Sequence, residues 1–227
     1  METIYSIPIN NAYSKVCGCP VCALERQLET DSLEYVLGAA MMEPDVRTET
    51  NKHGFCADHF AKMLTMQKRL PLSLILESYL NDLLKLMTVE NPDKRKLASI
   101  SASLSQAVDG CFVCSRIAER MEKYYSNIIY LWSHDDEFRI KMRKQTYFCP
   151  RHIAALLHVS QSELNKHTYA EFYRDQTAAC ASKLEGICKN VSAFCKSFDH
   201  RFADKPLGDA QRAIEDAIDF LDGNINI

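Results

Sequence analysis

Four short pairs of residues carry the chemistry that this chain could do. Two are CxxC pairs, Cys19-Pro20-Val21-Cys22 and Cys111-Phe112-Val113-Cys114, and each is followed by a CxxH pair, Cys56-Ala57-Asp58-His59 and Cys149-Pro150-Arg151-His152. Three thiols and one imidazole form the donor set of a closed tetrahedral zinc site, and the two-residue spacer lets both ligands of a pair reach one ion. Cys19 to Cys56 and Cys111 to Cys149 span nearly equal lengths of chain, so one duplicated template with a single insertion describes both copies. The sequence thus predicts two zinc ions per chain. One would be held by Cys19, Cys22, Cys56 and His59, and the other by Cys111, Cys114, Cys149 and His152.

Other chemistries fit these residues less well. Iron–sulfur ligation is the competing metal reading, but all-cysteine ligation is its usual form. Free cysteine is often a small buried hydrophobe, which explains neither the histidines nor the repetition. A thioredoxin-like redox role for Cys19 and Cys22 requires a βαβ setting, and no strand pattern adjoins them. Nothing in the sequence pairs a nucleophile with a base, and there is no phosphate-binding loop or H-E-x-x-H helix, so the reading leans away from an enzyme.

Cys17 has Asp109 at the matching place in the second copy and is not expected to be a ligand. Cys180, Cys188 and Cys195 lack the short spacing of a ligand pair and are expected to pack on one apolar helix face. His53 lies close enough before Cys56 to support the first site, although an exposed loop position suits it better, and His134, His158, His167 and His200 fall in no repeated constellation.

The elements that must position the ligands are predicted to be helices. Seven Gly and seven Pro in 227 residues, among many Leu, Ala, Glu, Lys and Met, give few tight turns and high helix propensity. Residues 1–18 read as an irregular arm, because Pro8 and Asn10-Asn11 oppose regular structure. Leu24, Leu28, Leu33, Val36, Leu37 and Ala40 recur at helical spacing from Pro20 to about Met42, while Glu25, Arg26 and Glu29 take the polar face.

Glu43 to Gly54 reads as an extended return. A helix of about 20 residues carries the chain about 30 Å outward, and a dozen extended residues recover about 40 Å, enough to close the first site on itself. A helix opens at Cys56, another follows Pro71, and a third starts at Asn91-Pro92 and ends at Gly110. The second copy repeats the scheme, with Asp135-Asp136 in a hydrophilic connection and Ser160 with Glu163 as a capping box before a long helix to about Phe198. Pro206 opens the last helix, which stops at Asp222-Gly223-Asn224.

The predicted architecture is an all-α helical bundle of two pseudo-repeats, each closed by its own CxxC…CxxH site. The arm would cover residues 1–18, the repeats 19–110 and 111–205, and the C-terminal helix 206–227.

Composition limits the partners. A formal charge of −3 and 47% hydrophobic residues suit a soluble globular protein and not a surface built for phosphate backbones. Arg139, Lys141, Arg143, Lys144 and Arg151 form the clearest basic patch that could meet nucleic acid, and Lys94-Arg95-Lys96 a smaller one, but acidic residues precede the larger patch and no aromatic ladder interleaves it. The N-terminus has no signal-peptide pattern, and no apolar run approaches a membrane span. A cytoplasmic setting without membrane contact is expected, where ten cysteines favour metal or thiol chemistry over disulfides.

The segments CPVCALERQLE, MEPDVR, GFCADHF, YFCPRH and FDHRFADKPLGDAQRAIEDAI together resemble a family of uncharacterised proteins of Gram-positive bacteria, defined as a domain of unknown function. The resemblance extends over nearly the whole chain and implies a bacterial cytosolic setting, but no activity, cofactor or substrate. Leu207 stands where a Trp is usual in that family. The functional expectation is a metal-stabilised interaction or regulatory module with an unknown protein partner.

Overall fold

A computed structural model of the chain describes residues 3–16, 18–199, 201 and 206–222. The described residues form eleven α-helices and two short 3-10 helices, with no strand among them, so the all-α expectation holds. No single helix among them is long and apolar enough to cross a membrane. Two compact units are present. One is the contiguous segment 26–121, and the other joins 1–25 to 122–227. Their boundaries fall within helices and differ from the repeat boundaries expected from the motifs.

The contiguous unit contains most of α2 (Pro20–Val36), α3 (Pro44–His53), α4 (Ala57–Thr65), α5 (Arg69–Met87), α6 (Lys94–Asp109) and the start of α7 (Phe112–His134). Leu33, Val36, Leu37, Met41, Phe55 and Ile75 are buried in one cluster that also contains Cys111 and Val113. This core is continuous with the second CxxC pair.

The stretch expected to return extended is helix α3. Pro44 occupies its first turn, Asp45 adds an acidic residue there, and Gly54 follows its end with φ +62°. These are helix boundary signals, because proline lacks only an N–H that the first turn leaves unpaired and glycine accepts a positive φ. As a ten-residue helix, the segment advances only about 15 Å. It cannot deliver Cys56 back along the length of α2, and the site closure predicted within the first copy fails for that reason.

Two glycines let α3 and α6 end against each other. A β-carbon on Gly54 would lie 2.1 Å from the Ala107 carbonyl oxygen, and one on Gly110 would lie 2.4 Å from the His53 carbonyl oxygen. The Phe112 amide donates to the Gly54 carbonyl at 2.9 Å. This close crossing brings the residues just before Cys56 beside those just before Cys111. The α6 start differs from expectation: Asp93, not Asn91, is the N-cap and accepts from the Lys96 amide at 2.6 Å. Asn91 has φ +46°, which suits a turn rather than a cap in extended conformation.

In the discontinuous unit, residues 3–13 form helix α1 (Thr3–Tyr13) despite Pro8, so the irregular arm is corrected. Ile9 and Tyr13, one turn apart, are fully buried. The Tyr13 ring packs 4.8 Å from Phe138 and 6.1 Å from Phe148, and this packing outweighs the proline penalty.

Helices α8 (Asp136–Arg143), α9 (Pro150–Glu163), α10 (Lys166–Ser197) and α11 (Ala213–Asp222) complete the unit, with a 3-10 turn at Gly208–Arg212 in place of the expected helix start near Pro206. Asp135 is the N-cap of α8 and accepts from the Phe138 amide, so Asp135 and Asp136 start a helix and are not a solvated connection. Ser160 lies within α9, buried, with its hydroxyl donating to the Leu157 carbonyl. Asn165 instead caps α10 by accepting from the His167 and Thr168 amides.

The cysteines of α10 do not share one environment. Cys180 is buried, and the Phe148 amide donates to its sulfur at 3.2 Å. Cys188 and Cys195 are exposed, because the distal half of α10 shows most of its surface to solvent. Cys17, His200, residues 202–205 of the FDHRFADKPLG segment and Gly223-Asn224 lie outside the described residues.

Candidate metal centres

The four pairs come together in crossed order. Cys19, Cys22, Cys149 and His152 form one cluster, and Cys56, His59, Cys111 and Cys114 form the other; in each, the four ligand-type atoms lie within 4.8 Å of one another. All eight predicted residues are therefore gathered, but the grouping expected within each copy is corrected. The first CxxC joins the second CxxH, and the first CxxH joins the second CxxC. Each cluster lies in a single unit: the Cys149 centre in the discontinuous one and the Cys114 centre in the contiguous one.

Helix starts position the ligands. Cys56 and Cys149 are the N-caps of α4 and α9, so each CxxH histidine lies in the first turn of its helix. Cys19 and Cys111 directly precede α2 and α7. Unpaired amides at these ends carry partial positive charge and favour thiolate over thiol.

The separations test whether a metal fits. Zinc at about 2.3 Å from sulfur and about 2.05 Å from nitrogen sets tetrahedral ligand atoms about 3.5–3.8 Å apart. In the Cys149 centre, His152 Nδ1 lies 3.7 Å from Cys19 Sγ, 3.2 Å from Cys22 Sγ and 3.2 Å from Cys149 Sγ, and the last two sulfurs are 3.5 Å apart. In the Cys114 centre, His59 Nδ1 lies 3.1, 3.2 and 3.4 Å from the sulfurs of Cys56, Cys111 and Cys114, and Cys56 and Cys114 are 3.9 Å apart. Most nitrogen–sulfur separations fall a few tenths of an ångström short of those edges, so a small outward shift of the donors seats one tetrahedral ion per cluster.

Both histidines turn Nδ1 inward and Nε2 toward a glutamate. His59 Nε2 is 3.0 Å from Glu29, which also accepts from Lys62 at 2.6 Å. His152 Nε2 is 3.5 Å from Glu25, which Arg151 holds by two bonds of 3.0 and 2.6 Å. The hydrogen bond to Glu29 fixes the His59 tautomer that leaves its inner nitrogen free to coordinate; His152 Nε2 is buried without a hydrogen bond among the described residues and faces Glu25 only at ion-pair distance. Glu25 and Glu29 read in the sequence as solvated helix positions. Their spacing of four is the only signal that could have found them.

Without a cation the four donors of each cluster must share protons. The hydrogen bond to Cys111 raises His59 to about 9. Burial pushes the Cys111 thiol up, but the His59 hydrogen bond and nearby donors bring it down to about 6. Burial and the neighbouring Cys111 push Cys114 up to about 12. In the other cluster burial opposes charge on His152, yet bonding to Cys149 and Cys19 raises it to about 11. Cys149 falls well below the usual thiol range because Cys19, Cys22 and His152 bond to it, and Cys22 rises as their proton-bearing partner. Burial also opposes the charge of Glu25, but His152 and Arg151 lower its carboxyl below the usual range. Each cluster crowds three thiols around one imidazole, an arrangement whose full ionisation requires a cation.

The DUF6062 family model, described as a family of unknown function, matches residues 1–227, both clusters included. The chain belongs to DUF6062. No curated protein and no solved structure matches it. Membership therefore brings no activity, and the site must be read from its own residues.

The other candidates occupy ordinary positions. Arg139 donates to the Trp132 carbonyl and lies over its ring. Lys141 bonds Asn10, Arg143 bonds Asp175 and Glu171, and Arg151 bonds Glu25. Four of the five residues in the basic patch are thus answered within their own unit. His53 lies in the last turn of α3, 3.5 Å from Glu49, and His134 stacks on Tyr130.

Proposed function

We propose that the protein is a non-enzymatic helical module, held by one structural zinc in each cluster, that presents its helix surfaces to a protein partner in the bacterial cytoplasm. One observation carries this reading: in both clusters three sulfurs and one Nδ1 converge at separations near tetrahedral edges, with the outer imidazole nitrogen facing a carboxylate. Three cysteines and one histidine complete a closed zinc shell and leave no coordination position for a substrate. When bound, the ion supplies the cross-link that joins distant helix starts. The protein residues provide the thiolates, hold the imidazole tautomer and exclude water from the Cys149 centre.

Cysteines gathered as metal ligands rather than paired in disulfides suit a reducing compartment. Nucleic-acid binding through Arg139–Arg151 draws less support, because acidic, amide and carbonyl groups of the same unit already engage most of that charge. The test is elemental analysis of the full chain purified without oxygen. Two zinc per chain is the expected result; iron with visible absorption, or a well-folded protein without metal, would overturn the proposal.

A further inference from the structure

The two centres differ in what solvent can reach. Cys19, Cys22, Cys149 and His152 are all buried, with Cys149 at 0% exposure. In the other cluster His59 and Cys111 are buried, but Cys56 is half-buried and Cys114 is exposed. The two reachable sulfurs face each other at 3.9 Å, so a small local movement brings them to bonding distance. Cys114 lies in the first turn of α7 and Cys56 caps α4, and helix starts favour the nucleophilic thiolate.

We propose that the Cys114 centre is a peroxide-responsive zinc site, in which oxidation joins Cys56 to Cys114 and expels the ion while the Cys149 centre keeps its own. The inference rests on the zinc reading given above. The Cys114 thiolate attacks one oxygen of hydrogen peroxide, the O–O bond breaks, and hydroxide leaves, giving a sulfenic acid on Cys114. The Cys56 thiolate then attacks Cys114 Sγ, the S–S bond forms, and the sulfenic oxygen departs as hydroxide. The two sulfurs lose two electrons, peroxide gains them, and two protons from solvent convert the hydroxides to water. His59 and Cys111 remain, too few ligands to hold the ion. A dithiol reductant reverses the exchange.

The consequence for the fold is local. Cys111 directly precedes α7 and belongs to the buried core of the contiguous unit, so freeing the cluster loosens the crossing at Gly54 and Gly110.

The test uses the full chain, zinc-loaded, with Cys188→Ser and Cys195→Ser to remove the exposed thiols of α10. Zinc is counted before oxidant; fewer than two per chain overturns the zinc reading, and the present inference with it. Hydrogen peroxide is then added with a zinc-sensitive dye, and the products are mapped by peptide mass spectrometry. The expected result is loss of one of two zinc ions, a Cys56–Cys114 linkage, and recovery with dithiothreitol and zinc. Two zinc ions that both stay, both leave at equal rates, or leave with any other cysteine pair linked would overturn the inference and leave the zinc reading standing.

Discussion

The Cys149 and Cys114 centres have the same donors, the same inward nitrogen and a glutamate near the outer one, yet one is sealed and the other has an open edge. The difference arises from their surroundings. Around the first, Tyr13 and Phe148 are fully buried and Cys180 lies against the Phe148 backbone. At the second, the buried core reaches Cys111 and leaves Cys114 exposed. A ligand set therefore defines what can bind, and the packing around it decides how easily the ion can leave.

Removing metal should expose that contrast most strongly. A strong chelator is expected to strip the Cys114 centre first and the Cys149 centre much later, with loss of helical circular dichroism as the second ion leaves, since structural zinc contributes roughly 10–16 kcal/mol of apparent binding free energy in small folds. Equal rates would break the comparison. Single ligands come next. Cys149→Ser should remove one zinc and destabilise the chain by more than about 4 kcal/mol in denaturant unfolding, as loss of a buried metal ligand does. Cys114→Ser should cost less, because water can reach the altered position.

The glycines before the motifs offer a smaller test. Gly54→Ala places a β-carbon 2.1 Å from a backbone oxygen at φ +62° and should cost about 2–4 kcal/mol, the range of overpacking with backbone strain. Gly18→Ala meets only the Tyr147 hydroxyl at 3.7 Å and should cost about 1–2 kcal/mol from its positive φ alone. Thermal unfolding of both variants would rank them, and a larger loss at Gly18 would contradict the packing described. The smallest effects belong to the carboxylates. Glu29→Gln and Glu25→Gln should each weaken zinc binding at their own centre by about 10–100-fold, with Glu29 toward the upper end because it lies closer to its histidine. Competition with a calibrated chelator measures both.

Much of the site was legible because ligand chemistry is local. CxxC and CxxH announce themselves by residue type and spacing, and the periodicity of Leu24 to Leu37 marks α2. The partnership between pairs was not legible, since it depends on whether Glu43 to Gly54 extends or coils. Pro44 and Gly54 suit a loop and a helix boundary equally well when read one at a time. Pro8 misled for the opposite reason: Tyr13, whose burial helps hold α1 together, packs on Phe138 and Phe148, more than a hundred positions away. Glu25 and Glu29 looked like solvated positions because only the folded chain brings a histidine to each.

The crossed grouping also sets an order of assembly. His59 and Cys111 are 52 residues apart, whereas Cys22 and Cys149 are 127 apart. Closing the longer loop in a flexible chain costs on the order of 0.8 kcal/mol more, and during synthesis its second half emerges last. The pairs are nested like brackets, with the shorter loop inside the longer. Once residues 26–121 have closed on themselves they shorten the flexible path left for the outer clasp, so the sealed centre is expected to close after the inner one and needs the chain only as far as His152.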